Sequence, residues 1–427
     1  MVINKRPFHS NLLLLFIACI LPLTGCQQET PLPTRLAMAE IEQLAPGSPS
    51  QQAQLPATWT PDASERAISG HSTPIQISGS ELLSNTPRHT PIIPTRTPLP
   101  TRTPTQTPIP SPTVYQRILP TRAPLTDLGP SKLGLHVIRP NDANIQEFHR
   151  RGQPAVIKAL DNFGFLTEIK ELSPRTTIVG RFNARSQDYV GTPEEAAYDF
   201  IMSQLDQYLA NPVVEYWEGW NEPDPGLERM WWYARFEQER IRLMATYGFK
   251  TAIGGFSTGV PELDEFAHFL PAIETLQQYQ GILTLHEYGA PDLTFLYGEP
   301  LPGYPAYPDR GALKFRYRWY YRELLEPNDL VVPLVMTEAG VDGIIGNRPG
   351  PSGTGWYDFQ DYWVAQGWGS TGPEAFINQL AWYDDGVRED GYVIGFTIFT
   401  AGGHDYWLNY DINEILPELT DYVVSQR

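Results

Sequence analysis

Two glutamates 116 residues apart each close a run that reads as a buried strand: Glu222 ends Val213-Val214-Glu215-Tyr216-Trp217-Glu218-Gly219-Trp220-Asn221-Glu222, and Glu338 ends Val331-Val332-Pro333-Leu334-Val335-Met336-Thr337-Glu338. If both strands belong to one parallel barrel, the two carboxyl groups face each other across its mouth, because functional side chains of such barrels sit at strand carboxyl ends. A pair of opposed carboxyls is what cleavage of a glycosidic bond needs. The sugar leaving group is too basic to depart unaided, so one acid donates a proton while a carboxylate meets the oxocarbenium-like centre from the other face. Glu222, beside Trp220 and Trp217, is expected to have a raised pKa and to be the acid. Glu338 is expected to stay ionised, helped by Arg181 or Tyr288.

The elements that must position this pair are legible as a repeat. Apolar runs of strand length recur at Lys132–Ile138, Pro154–Leu160, Thr176–Phe182, Val213–Trp220, Lys250–Gly254, Ile282–His286, Val331–Thr337 and Tyr392–Phe399. Between them lie helical stretches, notably Thr192–Leu209, Leu227–Tyr247, Pro261–Tyr279, Ala312–Leu325 and Pro373–Glu389. Proline just inside a helix start, with acids in the first turn, is an opening signal. Strand-helix units repeated over residues 131–427 predict an α/β fold, a (β/α)8 TIM barrel. An open doubly wound sheet is the alternative. It would place a Gly-rich phosphate loop after the first strand, where Gly134-Leu135-His136-Val137-Ile138-Arg139-Pro140 stands instead.

The residues falling at the expected strand ends are polar although the strand bodies are not. His136, Lys158, Arg181, Trp220, Asn221, His286, Tyr288 and Trp407 are the candidate substrate contacts, beside the catalytic candidates Glu222 and Glu338. Histidines occur singly, without His-x-His on the first strand or His-Glu-x-x-His on a helix, so no metal is expected. The long segments 340–372 and 290–311 carry Trp356, Tyr357, Tyr362, Trp363 and Trp368, and Tyr297, Tyr304 and Tyr307. Such rings either stack on sugar C–H faces or pack the loops against the barrel.

Asn221-Glu222-Pro223, Glu338 within Met336-Thr337-Glu338-Ala339-Gly340, and His286-Glu287-Tyr288 give residues 131–427 a resemblance to the clan-A glycoside hydrolases, the retaining barrels that include cellulases, mannanases, xylosidases and galactosidases. The resemblance implies that Glu222 is the general acid/base on strand four and Glu338 the nucleophile on strand seven. It also implies that Asn221 contacts the sugar 2-hydroxyl and that the strand-six pair His286 and Tyr288 orients the nucleophile. Lys158 or Arg181 takes the place of the family's strand-two arginine, and Phe399 occupies the position of its strand-eight tryptophan. The substrate implied is a neutral β-linked glycan, and no cofactor is expected. The rival reading is a carbohydrate-binding barrel without turnover.

Upstream of the barrel, Lys5 and Arg6 precede an apolar run, Leu12 to Leu23, too short for a comfortable transmembrane helix; residues 1–25 read as an export signal. Leu23-Thr24-Gly25-Cys26 resembles the lipobox of bacterial lipoproteins, which implies that Cys26 becomes a lipidated amino terminus. Cys19 would leave with the signal. No thiol would remain for a disulfide, a thiolate metal site or a cysteine nucleophile. Residues 26–130 are rich in Pro, Thr, Ser and Gln, without helical or strand period, and are expected to form a disordered tether. The first 130 residues hold nine basic and seven acidic side chains, and residues 131–427 hold 22 and 42. Such an acidic domain repels nucleic acid and anionic lipid head groups. The expected partners are therefore a carbohydrate substrate and, through the lipid alone, a membrane. A monomer outside the cytoplasm, held at the cell surface, is expected.

Overall fold

The structure is a computed structural model that describes residues 128–183 and 187–427. The export signal, Cys26 and the tether up to residue 127 lie outside the described residues. No helix among the described residues is long and apolar enough to cross a membrane.

Eight parallel strands close into a barrel in sequence order: β1 (Leu133–Val137), β2 (Val156–Leu160), β3 (Thr177–Arg181), β4 (Tyr216–Glu218), β5 (Lys250–Phe256), β6 (Ile282–Gly289), β7 (Leu334–Val341) and β8 (Val393–Ala401), with β8 pairing back onto β1. The fold is the (β/α)8 barrel that the repeat of apolar runs predicts. Two strands start three residues later than the sequence reading, for local reasons. β7 begins after Pro333, which has no N–H to give the ladder, although its carbonyl accepts from Leu283 N at 2.9 Å. β4 is short because pairing with β3 is irregular before Tyr216, although Glu215 N–H donates to Ile178 O at 3.0 Å. Val214 N turns back to Asn211 O, and the Glu215 carboxylate accepts from the Ile178 backbone N at 3.1 Å.

Helices fill the outer layer. Thr192 and Thr371 cap helices Pro193–Met202 and Gly372–Arg388, accepting from Glu195 N and Glu374 N, with Pro193 and Pro373 in the first turns. The expected helix Thr192–Leu209 is two pieces, Pro193–Met202 and Leu205–Ala210, and Pro261–Tyr279 is likewise Leu263–Ala267 and Leu270–Gln278. The stretch Ala312–Leu325 becomes helical only from Tyr317, because the buried carboxylate of Glu287 takes Phe315 N at 3.0 Å and Tyr317 N at 3.1 Å. Helices Ala143–Gly152, Leu166–Leu172, Gly226–Thr246 and Leu416–Ser425 complete the main elements.

Strand side chains alternate between the barrel interior and the helices. Val156, Val179, Ala252, Ile282 and Val335 form an apolar cluster inside the barrel, and two residues further along β2 the interior position is Lys158. Outward-facing Trp217 joins the large core under the helices, its ring between Phe163, Phe182 and Tyr208 at centroid distances of 5.0, 5.2 and 4.8 Å. Gly180 permits that seat, since a Cβ there would stand 2.7 Å from the indole. Replacing Trp217 with Ala is expected to cost about 3–5 kcal/mol, measured as the loss of unfolding free energy in urea.

Candidate active site

Glu338 is placed by β7 and Glu222 by the segment that leaves β4, where Glu222 takes a left-handed backbone (φ +47°) and its N–H donates to Gly255 O at 3.0 Å. A carboxylate oxygen of each, together with a ring nitrogen of His286 from β6, all lie within 4.8 Å of one another. The sequence pair thus meets across the mouth of the barrel. His286 Nδ1 is 2.8 Å from Glu222 Oε1 and 3.6 Å from Glu338 Oε2. Both of these neighbours are acceptors, so Nδ1 carries the proton.

Glu338 is buried and surrounded by donors. Lys158 Nζ donates to Oε1 at 3.0 Å, Arg181 Nη2 lies 3.3 Å from the same oxygen, and Tyr288 Oη donates to Oε2 at 2.9 Å. Burial alone would raise its pKa, but the electrostatic pull of His286, Lys158 and Arg181 overcomes burial and holds it well below the usual carboxylate range. It is ionised at any pH of interest.

Glu222 differs from the sequence expectation. The rings of Trp217 and Trp220 do not face it. Trp220 is turned into the helical layer, where Tyr189, Trp232, Tyr233 and Phe236 pack around it, with 4% of its surface exposed. It does not line the space between the two carboxyls. Helix Gly226–Thr246 supplies three of those rings, and the indole buries its apolar area against them. The Glu222 carboxyl is instead about one-third exposed and accepts from Ser257 Oγ at 2.9 Å and from His286. Burial pushes its pKa up, the His286 contact and the Ser257 hydroxyl pull it down, and the downward effects win. The negative charge of Glu338 acts in the upward direction.

The remaining candidates take distinct places. Arg181 Nη1 donates to Asn221 Oδ1, linking the nucleophile candidate to the residue beside Glu222. Asn221 is held by Gln187, which takes its N–H at 2.5 Å and gives its own amide to the Asn221 carbonyl at 2.8 Å. His136 is buried, stacks on Phe399 at 4.9 Å, and has its pKa lowered well below the ordinary value by burial and by the Lys158 charge. Trp407 packs edge-on to Phe399 at 5.0 Å and is 37% exposed, and Phe399 in turn meets Tyr288 at 6.3 Å. These rings form one wall running outward from Glu338.

Most rings of the two long loops serve packing. Trp356, Trp363 and Trp368 are buried, Trp356 and Trp363 stack on Phe376, and Tyr304 and Tyr307 gather around Trp319. Exposed aromatic surface remains on Tyr304 and Tyr357 of these loops and on Tyr406 and Trp407 after β8.

Two carboxylates went unassigned in the sequence reading. Glu218 is buried inside the barrel with Oε2 2.8 Å from Lys158 Nζ, and its pKa falls to about 2 because the Lys158 and Arg181 charges outweigh burial. The sequence signal for it was an opposite pair of charges, Lys158 and Glu218, each within an otherwise apolar strand; neither charge survives burial alone. Asp342 follows β7, accepts from Tyr410 Oη at 2.8 Å, and has its pKa raised by burial, with the Glu222 and Glu338 charges adding to the rise. Among the described residues, Glu222, His286 and Glu338 could also present ligand atoms to one cation, although Lys158 and Arg181 beside Glu338 oppose that.

No protein-family model and no curated protein matches the chain. Solved structures with a similar course of the chain include a family 39 glycoside hydrolase from Bacteroides cellulosilyticus WH2, at 13% identity and a TM-score of 0.44, covering 70% of this chain and 64% of that one. Others are an endo-1,4-beta-D-mannanase from Thermotoga petrophila RKU-1 (10%, TM-score 0.38, covering 69% and 99%) and the GH53 catalytic domain of Ignisphaera aggregans (12%, TM-score 0.40, covering 70% and 91%). The chain thus spans less than two-thirds of the first of these, and the barrel assignment rests on the strand order itself.

A buried imidazole whose charged form is disfavoured stays neutral until the pH falls below its folded pKa. The His136 ring nitrogens are therefore expected to keep neutral-tautomer 15N shifts from pH 8 down through 6.5, where an ordinary histidine is half protonated.

Proposed function

We propose that this protein is a retaining glycoside hydrolase that acts on a neutral β-linked oligo- or polysaccharide outside the cell, with Glu222 as acid/base and Glu338 as nucleophile. The observation that carries the reading is the approach of one oxygen from each carboxylate to within 4.8 Å at the barrel mouth. Retaining enzymes hold their carboxyls about 5–5.5 Å apart, and inverting ones about 6.5–9.5 Å, to admit a water.

In the first step the Glu338 carboxylate attacks the anomeric carbon. The bond from that carbon to the glycosidic oxygen breaks, and Glu222 gives its proton to the departing oxygen. In the second, Glu222, now a carboxylate, takes a proton from water whose oxygen displaces Glu338 from the anomeric carbon. The assignment of roles follows from the surroundings. Glu338 is the dry, fully ionised group ringed by cations, and Glu222 is the one open to solvent and to a leaving group. The Glu338 charge raises the proton affinity of Glu222 while the nucleophile is free; once the glycosyl ester neutralises that charge, Glu222 becomes the stronger acid and remains a carboxylate, the form a general base requires. A neutral sugar suits the site because the cations Lys158 and Arg181 are already matched by Glu338 and Glu218, which leaves no unbalanced positive charge for a carboxylated ring.

For its place in the cell we propose export through residues 1–25, anchoring by lipid at Cys26 and reach through the Pro/Thr-rich segment. The protein then works as a monomer on a carbohydrate, with no nucleic-acid partner and no cofactor. What supports this is the motif Leu23-Thr24-Gly25-Cys26 and the composition behind it.

The full chain is expected to hydrolyse at least one member of a panel of aryl β-glycosides, β-glucans, mannans, xylans and galactans. Glu338→Gln should abolish turnover. Glu222→Gln should lower kcat/KM by about 10²–10⁴-fold for substrates with poor leaving groups while sparing kcat/KM for dinitrophenyl glycosides, whose departure needs no proton; kcat on the latter should still fall, because the second step keeps its need for the base. No turnover anywhere, with glycan binding undiminished in both variants, would instead favour the tethered carbohydrate-binding barrel.

The pH profile offers a second check. The acid form of Glu222 is lost as pH rises through its pKa, so Glu222 sets the basic limb of kcat/KM. Ser257 stabilises the carboxylate, and its removal raises that pKa. Ser257→Ala is thus expected to move the basic limb to higher pH. A limb that stays in place would assign the proton to another group.

A further inference from the structure

Glu218 lies on β4, faces the barrel interior and is 2% exposed, so a sugar in the mouth does not reach it. Its two oxygens nevertheless hold the nucleophile candidate from two directions. Oε2 stands 2.8 Å from Lys158 Nζ, which also donates to Glu338 Oε1 at 3.0 Å. Oε1 accepts from Thr337 Oγ1 at 2.6 Å, and Thr337 is the residue that precedes Glu338 on β7. Thr397 Oγ1 on β8 donates to the Thr337 carbonyl at 2.5 Å and ties the same residue from the other side.

An ammonium shared by two carboxylates in a dry interior divides its attraction between them. With one removed, the whole cation falls on the other, because Lys158 is completely buried and has no water to turn to. Glu338 would then be drawn down towards β2 and away from the space above it, and its lone pairs would be engaged more tightly by the cation. Both changes disfavour attack on a carbon at the mouth.

We propose that Glu218 is a positioning residue for the nucleophile: by taking half of the Lys158 cation and anchoring Thr337, it keeps the Glu338 carboxylate facing the mouth and available to react. The inference rests on the hydrolase reading of the same site. It adds a residue that acts on the chemistry without touching substrate, reached from the opposite wall of the barrel.

The test is a double-mutant cycle in the full chain, read with dinitrophenyl β-glycosides so that proton donation by Glu222 does not enter. Glu218→Gln, which keeps size and shape, is expected to lower kcat by about 10- to 100-fold with KM little changed, the scale of a misplacement near 1 Å. In a Lys158→Met background the same change should cost about threefold or less, since the cation through which Glu218 acts is gone. Effects that multiply in the double variant would overturn the proposal, as would a loss of activity that tracks a fall in thermal midpoint and nothing else. Should Lys158→Met fail to fold, Thr337→Val tests the other tie: it is expected to lower kcat by itself, with Glu218→Gln adding its own loss through the separate Lys158 contact, and an unchanged kcat in Thr337→Val refutes the anchoring of Thr337. Crystal structures of wild type and Glu218→Gln read the same idea without turnover. The Glu338 carboxylate is expected to shift towards Lys158 in the variant, and an unmoved carboxylate refutes the positioning role. A wild type that hydrolyses nothing on the panel removes the hydrolase reading alone, and the structural comparison still decides the role of Glu218.

Discussion

The site depends on one buried arrangement of charge. Lys158 and Arg181 face Glu338 and Glu218 inside a barrel whose floor is Val156, Val179, Ala252, Ile282 and Val335. Each of these ions alone would cost several kcal/mol to bury; together they neutralise one another, and the remaining lone pairs are met by Thr337 and Tyr288. The set draws on β2, β3, β4, β6 and β7, so it can form only when the barrel closes. The carboxylate that it holds most firmly, Glu338, is the one whose position chemistry would require to be fixed.

Around that core the protein divides its polar groups by depth. Glu338 is dry and bound on both oxygens, whereas Glu222 is partly wet and bound by two donors on one oxygen. His286 touches both and so couples them: a change in the charge of either carboxylate is felt at the other through one ring and less than 5 Å of space. Two carboxyls with unlike environments can hold unlike protonation states at one pH, and this is the property that a paired acid and nucleophile need.

The same logic of paired burial shapes the loops. Glu287, one residue beyond His286, turns away from the mouth and accepts from Phe315 N, Tyr317 N and Tyr383 Oη, which fixes the long segment after β6 against the helical layer. Alternation along β6 therefore sends His286 and Tyr288 to the site and Glu287 to the scaffold. A continuous run of three polar residues thus serves both purposes without compromise. On the other side, Phe399, Trp407 and Tyr410 pack against one another and leave Trp407 partly exposed.

By itself the sequence determined the architecture, because eight apolar runs at strand length separated by helical periods have one economical closed solution, and Pro193, Pro373 and their threonine caps mark helix starts locally. It also singled out Glu222, Glu338 and His286, since polar residues at the ends of apolar strands are informative without knowledge of partners. Only the tertiary structure decided which way side chains turn once the chain leaves a strand. Trp220 buries with Phe236 rather than standing at the mouth, and Glu222 meets Ser257 and His286 rather than indole, which reverses the expected direction of its pKa. Glu218 and Lys158 show the same limit: the sequence marks each as a lone charge in an apolar strand, but a pKa or an ion pair is set by groups distant in the chain, and the 2.8 Å between these two exists only once the barrel closes.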